Sequence, residues 1–252
     1  MEEDSAYKIQ IRIAVASDMK YVYPILEEME RSARARGTGI ARRTPQSLSQ
    51  KIYDGKAVIA IATKQRTVVT SGEMGEAGAN VMTGALGGTT IVAKDGKTIA
   101  AKDETTIAAK LDDEQWAGFS YIETWGDGKF VSNSGLIVNP VYRQAGVATA
   151  IKKEIFALSR RRYPAAQIFS ITTGAAVMKM NHKLGFEPVT YSEITRDAKF
   201  WDQCRHCVNH NILESNRHQL CLCTAMLFTP EQTGSGLNGG ALCMEEEVAG
   251  QA

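Results

Sequence analysis

Apolar and polar residues alternate at Ile9, Ile11 and Ile13 against Gln10 and Arg12, a period of two that predicts a half-buried strand over Lys8–Ala14. The period then changes. Tyr21, Val22, Ile25, Leu26 and Met29 recur at helical spacing after the capping residues Ala16-Ser17-Asp18, which predicts a helix from about Met19 to Arg34. Thr44-Pro45 opens a second helix, proline being pre-set for a first helical position, and this helix ends near Asp54-Gly55. Ala57–Ala62 is an unbroken apolar run of buried-strand length. Trp116–Trp125 and Lys129–Val138 read as two more strands joined by Gly126-Asp127-Gly128. Asn139-Pro140 stops the second, because proline offers a sheet no N–H. A glycine-containing turn follows, and then a helix with Ile151, Ile155, Phe156 and Leu158 on one stripe. Gln167–Thr172 predicts a strand, Thr173-Gly174 leads into another helix, and Pro188–Ile194 predicts a further strand.

Two stretches break this rhythm. Lys64–Glu114 is rich in Gly, Ala and Thr and repeats one phrase imperfectly, at Thr90–Asp95, Thr98–Asp103 and Thr106–Lys110. Asp95-Gly96 is a tight-hairpin signal, so the stretch reads as an inserted decoration with one hairpin, or as a flexible insertion. Gln232–Ala252 turns glycine-rich and then acidic, and reads as a disordered tail. One domain over residues 8–230, interrupted by 64–114, is the expected organisation.

Composition narrows the function classes. Of 252 residues, 44% are hydrophobic and 23% charged, enough for a sizeable core. A formal net charge of +1 argues against a general nucleic-acid binder. The acidic start Met1-Glu2-Glu3-Asp4 does not read as a signal peptide, and no apolar strip is long enough to span a bilayer. Five cysteines, an odd number, fit a reducing cytoplasm better than a disulfide scaffold. A homodimer is allowed for.

The strand–turn–helix at Ser134–Arg162 is the most informative stretch. Free backbone N–H groups in such a turn, with the helix dipole behind them, form an anion site. Arg143-Gln144-Ala145-Gly146-Val147-Ala148 resembles the Arg/Gln-x-x-Gly-x-Gly/Ala loop of the GNAT N-acetyltransferase superfamily. Ala175–Val189, with Leu184-Gly185-Phe186, resembles the helix and Gly-Phe element that follow in the same enzymes. The resemblance implies an α/β fold, a mixed and mostly antiparallel sheet flanked by helices and splayed at its central strands. It implies acetyl-CoA or another acyl-CoA as co-substrate, with Leu136, Ile137 and Val138 pairing with its pantetheine arm and Arg143 to Ala148 holding its pyrophosphate. Arg36–Ile40, Ser134–Val138 and the cysteine pairs further resemble an acetyltransferase group of Bacteroidetes found with arginine-biosynthesis enzymes, which implies amino-acid N-acylation with glutamate as first candidate.

Acyl transfer to an amine needs a neutral amine, yet reference values of about 7.7–8.0 for α-amino groups and about 10.4 for Lys leave amines protonated near neutrality. Val131–Ser134 carries no carboxylate where family members often have one, so Glu123 on the neighbouring strand is the candidate base; its bland reading is an outward-facing strand residue. Asn181 stands where the family commonly has a Tyr acid. It cannot supply an acidic proton, but could hydrogen-bond the cofactor. Arg31, Arg34, Arg36, Arg42 and Arg43 crowd the first helix and its loop. Arg36, Thr38, Arg42 and Arg43 are the candidate acceptor-binding residues, since guanidinium groups grip carboxylates in a fork; a solvated basic face is the alternative. The reading is an acyl-CoA-dependent N-acyltransferase acting on a small, acidic amine. A protein-modifying acetyltransferase and a non-catalytic CoA-binding regulator are the alternatives.

Cys204-x-x-Cys207 and Cys221-x-Cys223 give two close thiol pairs. A structural zinc held by all four, reduced thiols packed in a core, and a redox pair all fit this spacing.

Overall fold

The computed structural model describes residues 7–37, 43–64 and 114–230. The inserted hairpin at Asp95-Gly96, the tail from 231, Cys243, Thr38 and Arg42 lie outside the described residues.

The described chain builds a seven-stranded sheet in the order β1-β2-β3-β4-β5-β7-β6. In chain order the strands are β1 (Tyr7–Ile13), β2 (Ala57–Lys64), β3 (Glu114–Trp125), β4 (Phe130–Val138), β5 (Gln167–Thr172), β6 (Glu187–Val189) and β7 (Thr224–Phe228). Every neighbouring pair is antiparallel except β4 and β5, which run parallel. The fold is thus the mixed, mostly antiparallel α/β sheet that the sequence suggests. Thr63 pairs with Glu114, so β3 begins beside the point where β2 ends.

Helices α1 (Val22–Ala35) and α2 (Pro45–Tyr53) cover one face. Ile25, Met29, Leu48 and Ile52 pack there against Ile59, Ile61, Phe119, Tyr121 and Ile137. Helices α3 (Val147–Arg162) and α4 (Ala175–His182) take up the rest of the chain between β4 and β6. Ile151, Ile155 and Leu158 of α3 pack on Val58, Ala60, Ile122, Val131 and Ile168 of the other face. Strand alternation explains the division, since Phe119 and Tyr121 of β3 point one way and Ile122 the other.

Two boundaries differ from the sequence reading, and one stretch was not foreseen. The first helix begins at Val22, because Ala16–Tyr21 forms a 3-10 turn. Asp18 caps that turn instead: it accepts Val15 N–H at 2.8 Å and is also gripped by the Arg12 guanidinium, with 2.8 Å between Arg12 Nη2 and Asp18 Oδ1. The strand expected over Pro188–Ile194 is cut to Glu187–Val189, where Thr190 and Glu193 cap a 3-10 turn. Between β6 and β7 the chain then makes an excursion with two short helices, α5 (Ala198–Asp202) and α6 (His210–Ser215). Its aromatic residues Tyr191 and Phe200 join Trp125, Phe169 and Leu227 in a third cluster.

Candidate active site

β4 and β5 pair at Phe130–Ser132 with Gln167–Phe169, and from Asn133 onward β4 has no strand on that side among the described residues. The backbone alternation shows what the open edge presents. Asn139 N–H donates to Ala117 O at 3.0 Å, toward β3. The preceding residue must therefore face the opposite way, and Val138 O indeed accepts Arg143 Nε at 3.4 Å on the open side. Near its end β4 carries one extra residue against β3: Phe119 pairs with Ile137 but Tyr121 with Ser134. Gly135 takes φ +67° at this bulge, a left-handed conformation natural to glycine.

The open edge runs toward the N-terminus of α3. Gln144 and Gly146 both adopt positive φ, +68° and +76°, and Gly146 is the residue before the helix. The helix starts at Val147, so Val147 and Ala148 belong to its first turn rather than to the loop. The N–H groups of Gly146, Val147, Ala148 and Thr149 have no intrahelical acceptor by construction, and the positive end of the dipole of a 16-residue helix lies there. Nothing lies within 4 Å of where a Cβ at Gly146 would stand. An anion can approach that backbone directly. Beside it, a groove between α3 and α4 is lined by Thr149, Lys152, Lys153, Lys179 and Lys183. Lys152 is almost wholly buried, and burial lowers its ammonium to about 8. Only clustering in space reveals these lysines, because in the sequence they read as two solvated helix faces.

Two buried polar atoms near these walls lack partners. Asn133 Oδ1 accepts Ser159 Oγ–H at 2.7 Å, whereas its Nδ2 has no acceptor. Asn181 is fully buried; its Nδ2 lies 3.6 Å from Met226 Sδ, and its Oδ1 has no donor. An orphaned donor, an orphaned acceptor, an unpaired strand edge and a helix N-terminus make a donor set that fits an amide-bearing, phosphorylated cofactor such as acyl-CoA.

The opposite face, under α1 and α2, is polar where its two apolar clusters part. Glu123 of β3 pairs across with Ser132 of β4. Ser132 Oγ accepts Trp125 Nε1–H at 2.9 Å and Ser134 Oγ–H at 3.2 Å. Glu123 itself is ion-paired to Lys51 of α2. Tyr121 stands two positions before it on the same face. Its ring carbons fill the space over Gly135, and its hydroxyl accepts Arg43 Nε–H at 2.7 Å. Tyr121 was not legible as a site residue; its signal was Gly135, fourteen places on, which only register brings opposite.

The other sequence candidates fall into two groups. Leu136, Ile137 and Val138 lie on the open part of β4, and Arg143, Gln144, Ala145 and Gly146 on the loop, as the motif implies. Of the arginines, Arg43 reaches the bulge. Arg31 and Arg34 are engaged with Glu28 and Glu30 of their own helix, and Arg36 is exposed at its end.

The cysteines come together in one corner of the excursion. Cys207 Sγ accepts Asn209 N–H at 3.4 Å, and Cys221 Sγ lies 3.9 Å from Asn209 O. Among the described residues, however, no three His, Cys, Asp or Glu side chains are grouped to hold a metal ion. The expected zinc site at Cys204, Cys207, Cys221 and Cys223 is therefore not supported. Burial pushes the Cys204 thiol up to about 11 and the Cys223 thiol up to about 12, which favours protonated sulfur. Cys221 and Cys223 lie before β7 rather than in it.

The strand order, the single parallel pair that parts midway, the bulged strand beside it and the helix N-terminus at its end agree with the fold that the loop's resemblance to the GNAT N-acetyltransferases implies. No protein-family model and no curated protein matches the chain. Solved structures do resemble it. N-acetylglutamate synthase from Neisseria gonorrhoeae, complexed with coenzyme A and N-acetyl-glutamate, is 12% identical with a TM-score of 0.48, over 89% of this chain and 36% of that one. A Mycobacterium tuberculosis protein in complex with CoA is 11% identical with a TM-score of 0.46, over 87% and 98% of the two chains. Phosphinothricin acetyltransferase from Sinorhizobium meliloti, in complex with acetyl-CoA, is 13% identical with a TM-score of 0.43, over 92% and 94%. The match spans about a third of the length of the Neisseria synthase. Identities this low concern architecture and say nothing of substrate. No helix among the described residues is long and apolar enough to cross a membrane.

Proposed function

We propose that this protein is an acyl-CoA-dependent N-acyltransferase whose acceptor is a small amine bearing a carboxylate, with glutamate the first candidate. The observation that carries the reading is the unpaired edge of β4 running into the free N–H groups of α3, with Arg43 and Tyr121 over the bulge on the other face. When bound, the thioester supplies an activated acyl group. The chain's part is to bind and orient. Gln144, Ala145, Gly146 and the first turn of α3 present N–H groups to the phosphates, and the lysine groove adds positive charge. Backbone N–H on the open edge, at Val138, stabilises an oxyanion as charge develops on the carbonyl. Arg43 meets the acceptor carboxylate.

The amine must lose a proton. Glu123 is the carboxylate on the acceptor face, and Tyr121 stands between it and the bulge, so the proton reaches Glu123 through water. The departing thiol, with a pKa of about 8.5 by analogy with Cys, needs little help from an acid. Asn181 contributes a hydrogen bond through Oδ1 rather than a proton.

The Lys51–Glu123 ion pair favours one second reading, a CoA-binding protein without turnover, since the ammonium already occupies the carboxylate that would receive the proton. One assay separates the two: free-thiol release from acetyl-CoA and succinyl-CoA across an amino-acid panel that includes glutamate and ornithine. Release with an acidic acceptor supports the transferase. Retained CoA binding with no release from any acceptor overturns it in favour of the binder.

A further inference from the structure

We propose that Glu28 is a positioning residue: it fixes the phosphate loop through Arg143 and thereby couples the acceptor-side helix α1 to cofactor binding. The proposal rests on the acyl-CoA reading given above. Glu28 sits on the apolar stripe of α1 between Ile25 and Met29, and it is only 5% exposed. A carboxylate there needs strong partners. It has two. Oε1 accepts Arg143 Nη2–H at 2.8 Å across 115 residues of chain, and Oε2 accepts Arg31 Nε–H at 2.7 Å together with a second Arg31 donor.

Arg143 is the first residue of the loop and is held at both ends of its guanidinium. Nη2 is on α1, and Nε reaches Val138 O at the open edge of β4. The loop needs such an anchor. Among the described residues its backbone bond at Arg143 is a long one, Arg143 N–H to Pro140 O at 3.3 Å. Gln144, a non-glycine residue at positive φ, follows immediately. Without the guanidinium strut, little fixes the direction of the N–H groups at residues 144–146. The same turn of α1 also touches the bulge, since Met29 Cε would lie 3.3 Å from a Cβ at Gly135. One helical turn thus contacts both the acyl-transfer strand and the phosphate loop. An acceptor that shifts α1 alters the loop, and by linkage the cofactor alters acceptor affinity.

Titration calorimetry of the full chain with CoA tests this. Glu28→Gln and Arg143→Gln should each raise Kd roughly tenfold, and the double variant should be no weaker than the worse single within twofold. Arg31→Gln is the control, because Arg31 shares Glu28 without touching the loop; its Kd should stay within twofold. A purely structural Glu28 would lower thermal stability equally in the Glu28 and Arg31 variants and leave CoA affinity alone. Should Glu28→Gln fail to fold, Arg143→Lys decides instead. Arg143 is half exposed, and lysine keeps the charge but loses the fork. Weakening by about fivefold supports the strut, and unchanged affinity overturns it. CoA binding that is equal in the unaltered protein and Glu28→Gln overturns the coupling alone. No CoA binding by the unaltered protein overturns the acyl-CoA reading and the coupling with it.

Discussion

Arg43 Nε donates to Tyr121 Oη at 2.7 Å, and the guanidinium carbon lies 5.6 Å over the centre of the same ring. The aromatic face and hydroxyl hold the cation over the bulge, where an acceptor amine would meet the thioester. Arg43→Ala should raise KM for an acidic acceptor about tenfold or more, the cost of losing a charge-assisted hydrogen bond. CoA affinity should stay unchanged, because the proposed phosphate site lies at the N-terminus of α3 and not at Arg43. Initial-rate kinetics with glutamate and with its amide separates these effects. Equal losses for both acceptors would remove the carboxylate role.

The same ring sets the tolerance of Gly135. A Cβ there would stand 2.5 Å from Tyr121 Cε1 and 2.9 Å from Cδ1, and φ is +67°. The left-handed backbone alone costs about 1–2 kcal/mol for alanine, and displacing a ring from a packed cluster adds a similar amount. Gly135→Ala should lose about 2–4 kcal/mol in urea denaturation. Gly146→Ala is the contrast: φ is +76° but the space is open, so about 1–2 kcal/mol is expected. Gly146→Glu should in addition weaken CoA at least tenfold, because it sets a negative charge against the helix N-terminus that faces the phosphates. Calorimetric titration of that variant checks the loop assignment.

What was legible in the sequence was local. Pro140 ends a strand and Gly146 allows the turn because of their own backbone chemistry, so β4, the loop and α3 could be placed from neighbours alone. The apolar stripe of α1 was equally plain, yet Glu28 within it passed unremarked, because its partner lies 115 residues away. Asp18 read as a helix cap and does cap, at the 3-10 turn through Val15 N–H, but its second partner, the Arg12 guanidinium, was not legible. The excursion between β6 and β7 was missed for the same reason, since α5 and α6 are too short to hold an α-helix without Trp125 and Phe169 beneath them. Close pairs of cysteines allowed a metal, a core of reduced thiols or a redox pair from spacing alone, and among the described residues no group of three possible ligands is found.

Those thiols make their own prediction. The thiolate is the nucleophile, and Cys204 and Cys223 are pushed up to about 11 and about 12 by burial. At pH 7.5 in the folded protein, iodoacetamide should modify both far more slowly than the same cysteines in urea, as read by peptide mass spectrometry. Rapid alkylation of the native protein would contradict their burial.

Lys152 carries the clearest pH dependence. Burial lowers its ammonium from 10.5 to about 8. Below pH 8 the folded and unfolded chains are both protonated at this site, and folding bears the full cost of burying the charge, about 3 kcal/mol at 1.36 kcal/mol per unit. Between pH 8 and 10.5 the unfolded chain still holds a proton that the folded chain has released, so the cost shrinks as pH rises. Relative to Lys152→Met, the native protein should therefore gain about 2 kcal/mol between pH 7.5 and 9.5 in urea denaturation. The Met variant should also be the more stable protein at pH 7.5. A lysine kept at that cost in an anion groove suits cofactor binding rather than folding. CoA affinity should accordingly fall several-fold in Lys152→Met, the remaining three lysines of the groove limiting the loss. A variant that gained stability and bound CoA as tightly as before would place the phosphates elsewhere.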